Sequence, residues 1–181
     1  MRPIRAALAT LALLAAASPA LAAAPAGCSA SAIPDTPVKG TVGGKPFVVK
    51  QADVVIGKDF AVNDAKFDSY DLTLEVQGVF NALTTRVIVR EGTRADGRTF
   101  RLLQTDSIGD QPMAIEGTPE VQSWDLQLES ANVDTSFTQD IASMRLEYGQ
   151  RKGNVLPGKI YFCAPNAKAT IAGSFNATIG K

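Results

Sequence analysis

The stretch "SYDLTLEVQ", residues 69–77, decides the fold class. Tyr70, Leu72, Leu74 and Val76 fall on every second position, with Asp71, Thr73, Glu75 and Gln77 between them. Successive side chains of a β-strand point to opposite faces, so the segment reads as a strand with one face in a core and one in water. That two-sided pattern belongs to antiparallel sheets, because parallel sheets are covered on both faces.

The same period recurs outward from this segment. "SWDLQLES" sets Trp124, Leu126 and Leu128 against Asp125, Gln127 and Glu129, and "TIAGSFNATI" aligns Ile171, Phe175, Ala177 and Ile179. In-phase alternation places Trp124 in the core rather than on a sugar-stacking surface. "VKGTVGGKPFVVK" places two apolar runs around Gly43 and Gly44, as a tight hairpin requires, and Pro46 belongs on an edge because it has no N–H to donate. "TTRVIVREGTRADGRTFRLLQ" reads as a second hairpin, with Val87 and Val89 on one arm, Phe100 and Leu102 on the other, and Asp96-Gly97 at the turn. "QDIASMRLEYGQ" fits both periods; the alternation of Met144, Leu146 and Tyr148 favours strand. "RKGNVLPGKIYFC" gives a turn and then a strand ending at Cys163.

These segments predict an all-β, single-domain antiparallel β-sandwich or partly closed barrel of roughly eight to ten short strands. Residues 1–22 read as a signal peptide: Arg2 and Arg5 precede the apolar run "AALATLALLAAA", and Ala20 and Ala22 mark a cleavage site. Residues 23–37 form an extended leader, and 38–181 the β domain. Removing 22 of the 181 residues leaves 159, enough for one real core. Without Arg2 and Arg5 the chain carries sixteen basic and eighteen acidic residues, a balance that gives no reason to expect nucleic acid. No later stretch is long enough for a transmembrane anchor.

Cys28 and Cys163 are the only cysteines. An even count in an exported chain predicts a disulfide between them in the periplasm or outside the cell. The alternative is a lipoprotein anchored at Cys28, although Pro25 stands where the lipid box "PAGC" needs leucine. A catalytic thiol would lack a base, for the chain has no histidine. The same zero excludes Ser-His-Asp catalysis and histidine-ligated metals.

Carboxylate-pair chemistry remains open to a chain without histidine. Asp106 with Asp110, or Glu116 with Glu120, offers a glycosidase-like pair, set against a reading as solvated loop charges. Asn63, Asp64, Asp68 and Asp71 offer oxygen ligands for calcium, but without the spacing of an EF-hand loop, and they read as turn residues. No metal and no cofactor is expected. Arginine is the most uneven charge: Arg86, Arg90, Arg94, Arg98 and Arg101 are five of the seven beyond the signal. In the expected hairpin Arg86, Arg90 and Arg101 share the wet face, as a grip for an anionic glycan, lipid headgroup or acidic protein, or as an ion-paired surface.

Two segments carry a resemblance. "GTVGGKPF" (Gly40–Phe47) looks like the G-x-h-x-G-x-x-F opening hairpin, and "GSFNA" (Gly173–Ala177), following Cys163, resembles the closing G-[ST]-F-x-A strand, of exported bacterial β-sandwich proteins of unassigned role. The resemblance implies an exported β-sandwich and transfers no active site. The function expected is therefore a non-catalytic binding or envelope-associated module, with a histidine-free carboxylate hydrolase as the alternative. Sequencing of the exported protein is expected to give an N-terminus at Ala23; a blocked, diacylglyceryl-modified Cys28 would contradict it.

Overall fold

The computed structural model describes residues 28, 32–62, 65–76, 81–104, 121–130, 133–135 and 142–180. Within them the chain is all β. Eleven strands run as β1 (Lys39–Val42), β2 (Lys45–Val48), β3 (Gln51–Val62), β4 (Ala65–Glu75), β5 (Asn81–Arg90), β6 (Thr99–Gln104), β7 (Val121–Ser130), β8 (Val133–Thr135), β9 (Ala142–Tyr148), β10 (Val155–Ala164) and β11 (Ala169–Gly180). The count exceeds the expected eight to ten, and residues 142–148 are strand as the alternation favoured.

Nine strands form one path, β6-β9-β10-β11-β3-β4-β5-β7-β8, and the β1–β2 hairpin joins at β11. All pairings are antiparallel except that of β11 with β3, where Thr178–Gly180 lies parallel to Asp53–Val55. The sheet is therefore mixed and continuous, curled like a half-barrel rather than divided into the two separate sheets of a sandwich. The curl follows from burial. Tyr70, Leu72 and Leu74 on β4, Leu83, Val87 and Val89 on β5, and Met144, Leu146 and Tyr148 on β9 belong to one buried cluster. Tyr148 packs against Tyr70 at 6.2 Å between ring centroids, although four strand-to-strand steps separate β9 from β4 along the path. The two halves thus face each other across a shared core.

The first hairpin forms as expected, with Gly43 at φ 58° and Gly44 at φ 79°. Two positive φ values in a two-residue loop match strand twist, and glycine adopts them without steric cost. Pro46 sits on β2, which among the described residues pairs only with β1.

The second expected hairpin does not form. Both edges of β5 are occupied, by β4 and β7, and β6 pairs with β9 instead. Asp96-Gly97 does turn the chain, with Arg98 N–H donating to the Ala95 carbonyl at 3.1 Å, but a separate turn precedes it, closed by Thr93 N–H on the Arg90 carbonyl at 2.9 Å. Two turns with fully buried Ala95 between them carry the chain from one half of the sheet to the other. Eight linking residues exceed the two to five of a typical hairpin, which is why the turn signal misleads here.

Cys28 and Cys163 form a disulfide with Cα atoms 5.6 Å apart, and both are buried. The described end of the leader, Asp35 to Pro37, lies against β10 and β11. Ile33 is buried, Lys159 Nζ pairs with Asp35 Oδ1 at 2.5 Å, and Ser174 N–H donates to the Thr36 carbonyl at 2.8 Å. Gly173 permits this crossing: its φ is 145°, and a Cβ there would stand 2.6 Å from the Thr36 oxygen. Gly173→Ala is expected to cost about 3 kcal/mol, from backbone strain together with overpacking. The bond spans 135 positions, and loop entropy gives about 5 kcal/mol for that length. Urea unfolding of the oxidised protein, the double Cys→Ser variant and Gly173→Ala checks both; equal midpoints would contradict the strapping role.

Candidate functional site

The leader defines a surface on the outer side of β9, β10 and β11. Along β10 the even residues Leu156, Ile160 and Phe162 are buried and the odd residues Pro157, Lys159 and Tyr161 turn outward. Register puts Glu147 of β9 and Ser174 of β11 on either side of Lys159. These residues, with Asn176, line an open groove of ≈310 Å³ that passes over Gly158. Gly158 has no side chain because the Phe175 ring occupies that space from the inner side; a Cβ would overlap Phe175 Cζ.

Three of the groove's polar side chains, Glu147, Lys159 and Ser174, are engaged within the protein. Arg145 Nη2 pairs with Glu147 Oε1 at 2.5 Å, and the Ser174 hydroxyl donates to the carbonyls of Asp35 at 3.1 Å and Thr36 at 3.2 Å. The hydrogen bond that Lys159 donates to the Asp35 carboxylate raises the pKa of Lys159, keeping it a cation. A general base would need the opposite shift. Glu147, Lys159 and Ser174 were not singled out by sequence reasoning; each reads as an ordinary outward strand residue, and only register brings them into one row.

The three expected arginines separate. Arg86 and Arg90 lie on the outer side of β5, with Ile88 between them only 2 % exposed, so the stripe is interrupted. Arg86 Nε pairs with Asp71 Oδ1 at 2.5 Å, and Asp125 of β7 is opposite Arg86 on its other flank. Arg101 lies on β6, opposite Arg145 of β9. Because β4 and β9 face each other inwardly through Tyr70 and Tyr148, the outer sides of β5 and β6 point away from each other. The hairpin that was to unite the arginines is absent, so no common stripe forms.

Of the calcium candidates, Asn63 and Asp64 lie outside the described residues. Asp68 Oδ1 accepts from Lys58 Nζ at 2.7 Å, Glu91 Oε1 accepts from the same ammonium at 2.8 Å, and Asp71 is held by Arg86. The hydrogen bonds to Asp68 and Glu91 raise the pKa of Lys58 and tie the β5–β6 connection to β3 and β4. Among the described residues no cluster of three metal-binding side chains occurs. Asp106, Asp110, Glu116 and Glu120 lie outside the described residues, as do residues 1–22 and the side chain of Trp124. Within the described residues no helix is long and apolar enough to cross a membrane. The lipoprotein alternative at Cys28 is corrected by chemistry, because a sulfur bonded to Cys163 cannot also carry a thioether-linked lipid.

No family model, curated protein or solved structure matches the chain.

Inside the curled sheet the Tyr148 hydroxyl and the Thr85 hydroxyl are buried with no hydrogen-bond partner among the described residues. Burial pushes the Tyr148 phenol far up, and burial also raises Tyr70, opposed by a hydrogen bond from the Ala95 backbone. Both phenols stay neutral in the folded chain and ionise near their usual value of 10.0 once unfolded. Their contribution is therefore complete below pH 10 and lost as pH rises beyond it. Alkaline titration is expected to show the phenolate ultraviolet band appearing together with unfolding. Tyr148→Phe removes an unpartnered hydroxyl and is expected to change neutral-pH stability by less than about 1 kcal/mol while flattening the alkaline loss; a loss of several kcal/mol would show that the hydroxyl is bonded.

Proposed function

We propose that the chain is an exported, non-catalytic binding module of the bacterial envelope, periplasmic or secreted, which presents the outer side of β6, β9, β10 and β11 to its ligand. The observation that carries this reading is the Cys28–Cys163 bond. A disulfide that closes nearly the whole domain is useful only where thiols are oxidised, and it agrees with the signal-like segment ahead of it. Strapping the leader across β10 and β11 also fixes the groove residues Lys159 and Ser174, which hold Asp35 and Thr36. A rigid row of donors and acceptors on a sheet suits recognition without chemistry.

Expression of the full chain in a bacterium, osmotic-shock fractionation and thiol alkylation test the reading. The protein is expected in the shock fluid, trimmed of its signal and with no alkylated cysteine, and glycan and lipid arrays should return a ligand. Retention in the cytoplasm with two labelled thiols would overturn it.

A further inference from the structure

We infer that the aromatic interior of the curled sheet is a binding site for a small neutral ring compound bearing a hydroxyl, and that residues 92–96 are the flap that admits it. This site is separate from the outer side and does not rest on its role in recognition.

Two hydroxyls inside the sheet are unused. Tyr148 Oη on β9 and Thr85 Oγ1 on β5 are buried with no hydrogen-bond partner among the described residues. Both side chains face inward, Thr85 in phase with buried Leu83 and Val87, and Tyr148 in phase with buried Met144 and Leu146. Buried hydroxyls in folded proteins nearly always have a partner, because an unpaired one loses its hydration without compensation. The surroundings select what can supply the partner. The rings of Tyr70, Phe100 and Phe175 stand 6.2, 6.0 and 6.3 Å from that of Tyr148, so a planar apolar body packs among them edge-on. Water fits such a place less well, since it needs about two to four polar partners. Asp71 acts on the Tyr148 phenol, and Asp68 and Asp96 act on that of Tyr70 against Arg94. A carboxylate head would therefore be repelled, and any ion would lose its hydration on entry. A hydroxyl is neutral and both donates and accepts.

The way in is the β5–β6 connection. Ala95 is fully buried in the core cluster, and its backbone donates a hydrogen bond to the Tyr70 phenol. On either side stand Gly92 at φ 82° and Gly97 at φ 73°, two hinges in a conformation that glycine adopts freely. A Cβ at Gly92 would meet nothing within 4 Å, so that hinge has open space around it. The roots of the flap are held by Glu91 N–H on the Lys66 carbonyl at 2.8 Å and Gly97 N–H on the Gly149 carbonyl at 3.1 Å. The Lys58 ammonium pins the first root by gathering Glu91 and Asp68, while Gly92 N–H reaches the other Asp68 oxygen at 3.4 Å. Lys58 is 69 % exposed, and surface ion pairs of this kind hold weakly. Of residues 92–96 only Ala95 belongs to the core cluster, so lifting the flap withdraws one small side chain and frees the Tyr70 phenol beside Tyr148. Binding loops are drawn from such low-stability segments. The ligand takes the place of Ala95, and the flap stays lifted while it is bound.

Fluorescence titration of the oxidised protein with 2-naphthol at neutral pH, against naphthalene as the analogue without a hydroxyl, tests the site. Wild type is expected to bind 2-naphthol about tenfold or more tighter than naphthalene. Tyr148→Phe should abolish that preference and Thr85→Val should reduce it, with naphthalene bound as before. Lys58→Met, which releases Glu91 and Asp68, should tighten 2-naphthol about threefold by favouring the lifted flap. Thermal melts confirm that each variant is folded, and an unfolded Tyr148→Phe leaves Thr85→Val and Lys58→Met to decide. No binding of 2-naphthol by wild type, or a preference unchanged in both hydroxyl variants, would overturn the site. Unchanged or weaker binding in Lys58→Met would overturn the flap. Fractionation is independent of these results: a periplasmic protein that ignores 2-naphthol loses this site but not its proposed role.

Discussion

Everything in this molecule depends on one sheet hiding its apolar side by closing on itself. Tyr148 is where the closure is made. Its ring meets Tyr70 of β4 at 6.2 Å, Phe100 of β6 at 6.0 Å and Phe175 of β11 at 6.3 Å, the last two edge-on. Edge-to-face and tilted pairs contribute about 0.5–1.5 kcal/mol each beyond the area they bury. One residue thereby joins three strands, of which β4 and β6 lie at distant points of the path. Gly158 completes the arrangement by leaving room for Phe175, so the aromatic row needs a glycine as much as it needs its rings.

The closure explains what could and could not be read from the chain. Alternation is a local property, and it marked the strands and the inward residues of β4, β9 and β11 correctly. Hairpins with a tight loop were legible for the same reason, as Gly43-Gly44 demonstrates. Partner choice is not local. The segment from Thr84 to Gln104 has the composition of a hairpin, yet β5 already has two neighbours and β6 gains a better one in β9. The disulfide was legible because two cysteines admit one pairing. The opposition of Arg101 to Arg145 was not, since they are 44 positions apart and meet only through register.

Outer surfaces inherit their character from these long-range pairings. On β4 and β5 the arginine is neutralised across the ladder, with Arg86 on Asp71 and Asp125 opposite in register. On β6 and β9 two arginines oppose each other, while the leader, pinned by sulfur at one end and by Ser174 at the other, takes up Lys159 nearby. The disulfide thus does more than limit the unfolded chain. By anchoring Cys28 at β10, it acts together with the contacts of Asp35 and Thr36 on Lys159 and Ser174 to determine which part of the outer side is covered.

Proton NMR of the oxidised protein tests the closure most directly. Nuclear Overhauser contacts are expected between the rings of Tyr70 and Tyr148, together with cross-strand contacts from Phe100 to Leu146. Cross-strand contacts between β5 and β6, such as Val87 or Val89 with Phe100, in place of those would mean that the local hairpin forms and that the sheet does not close as described.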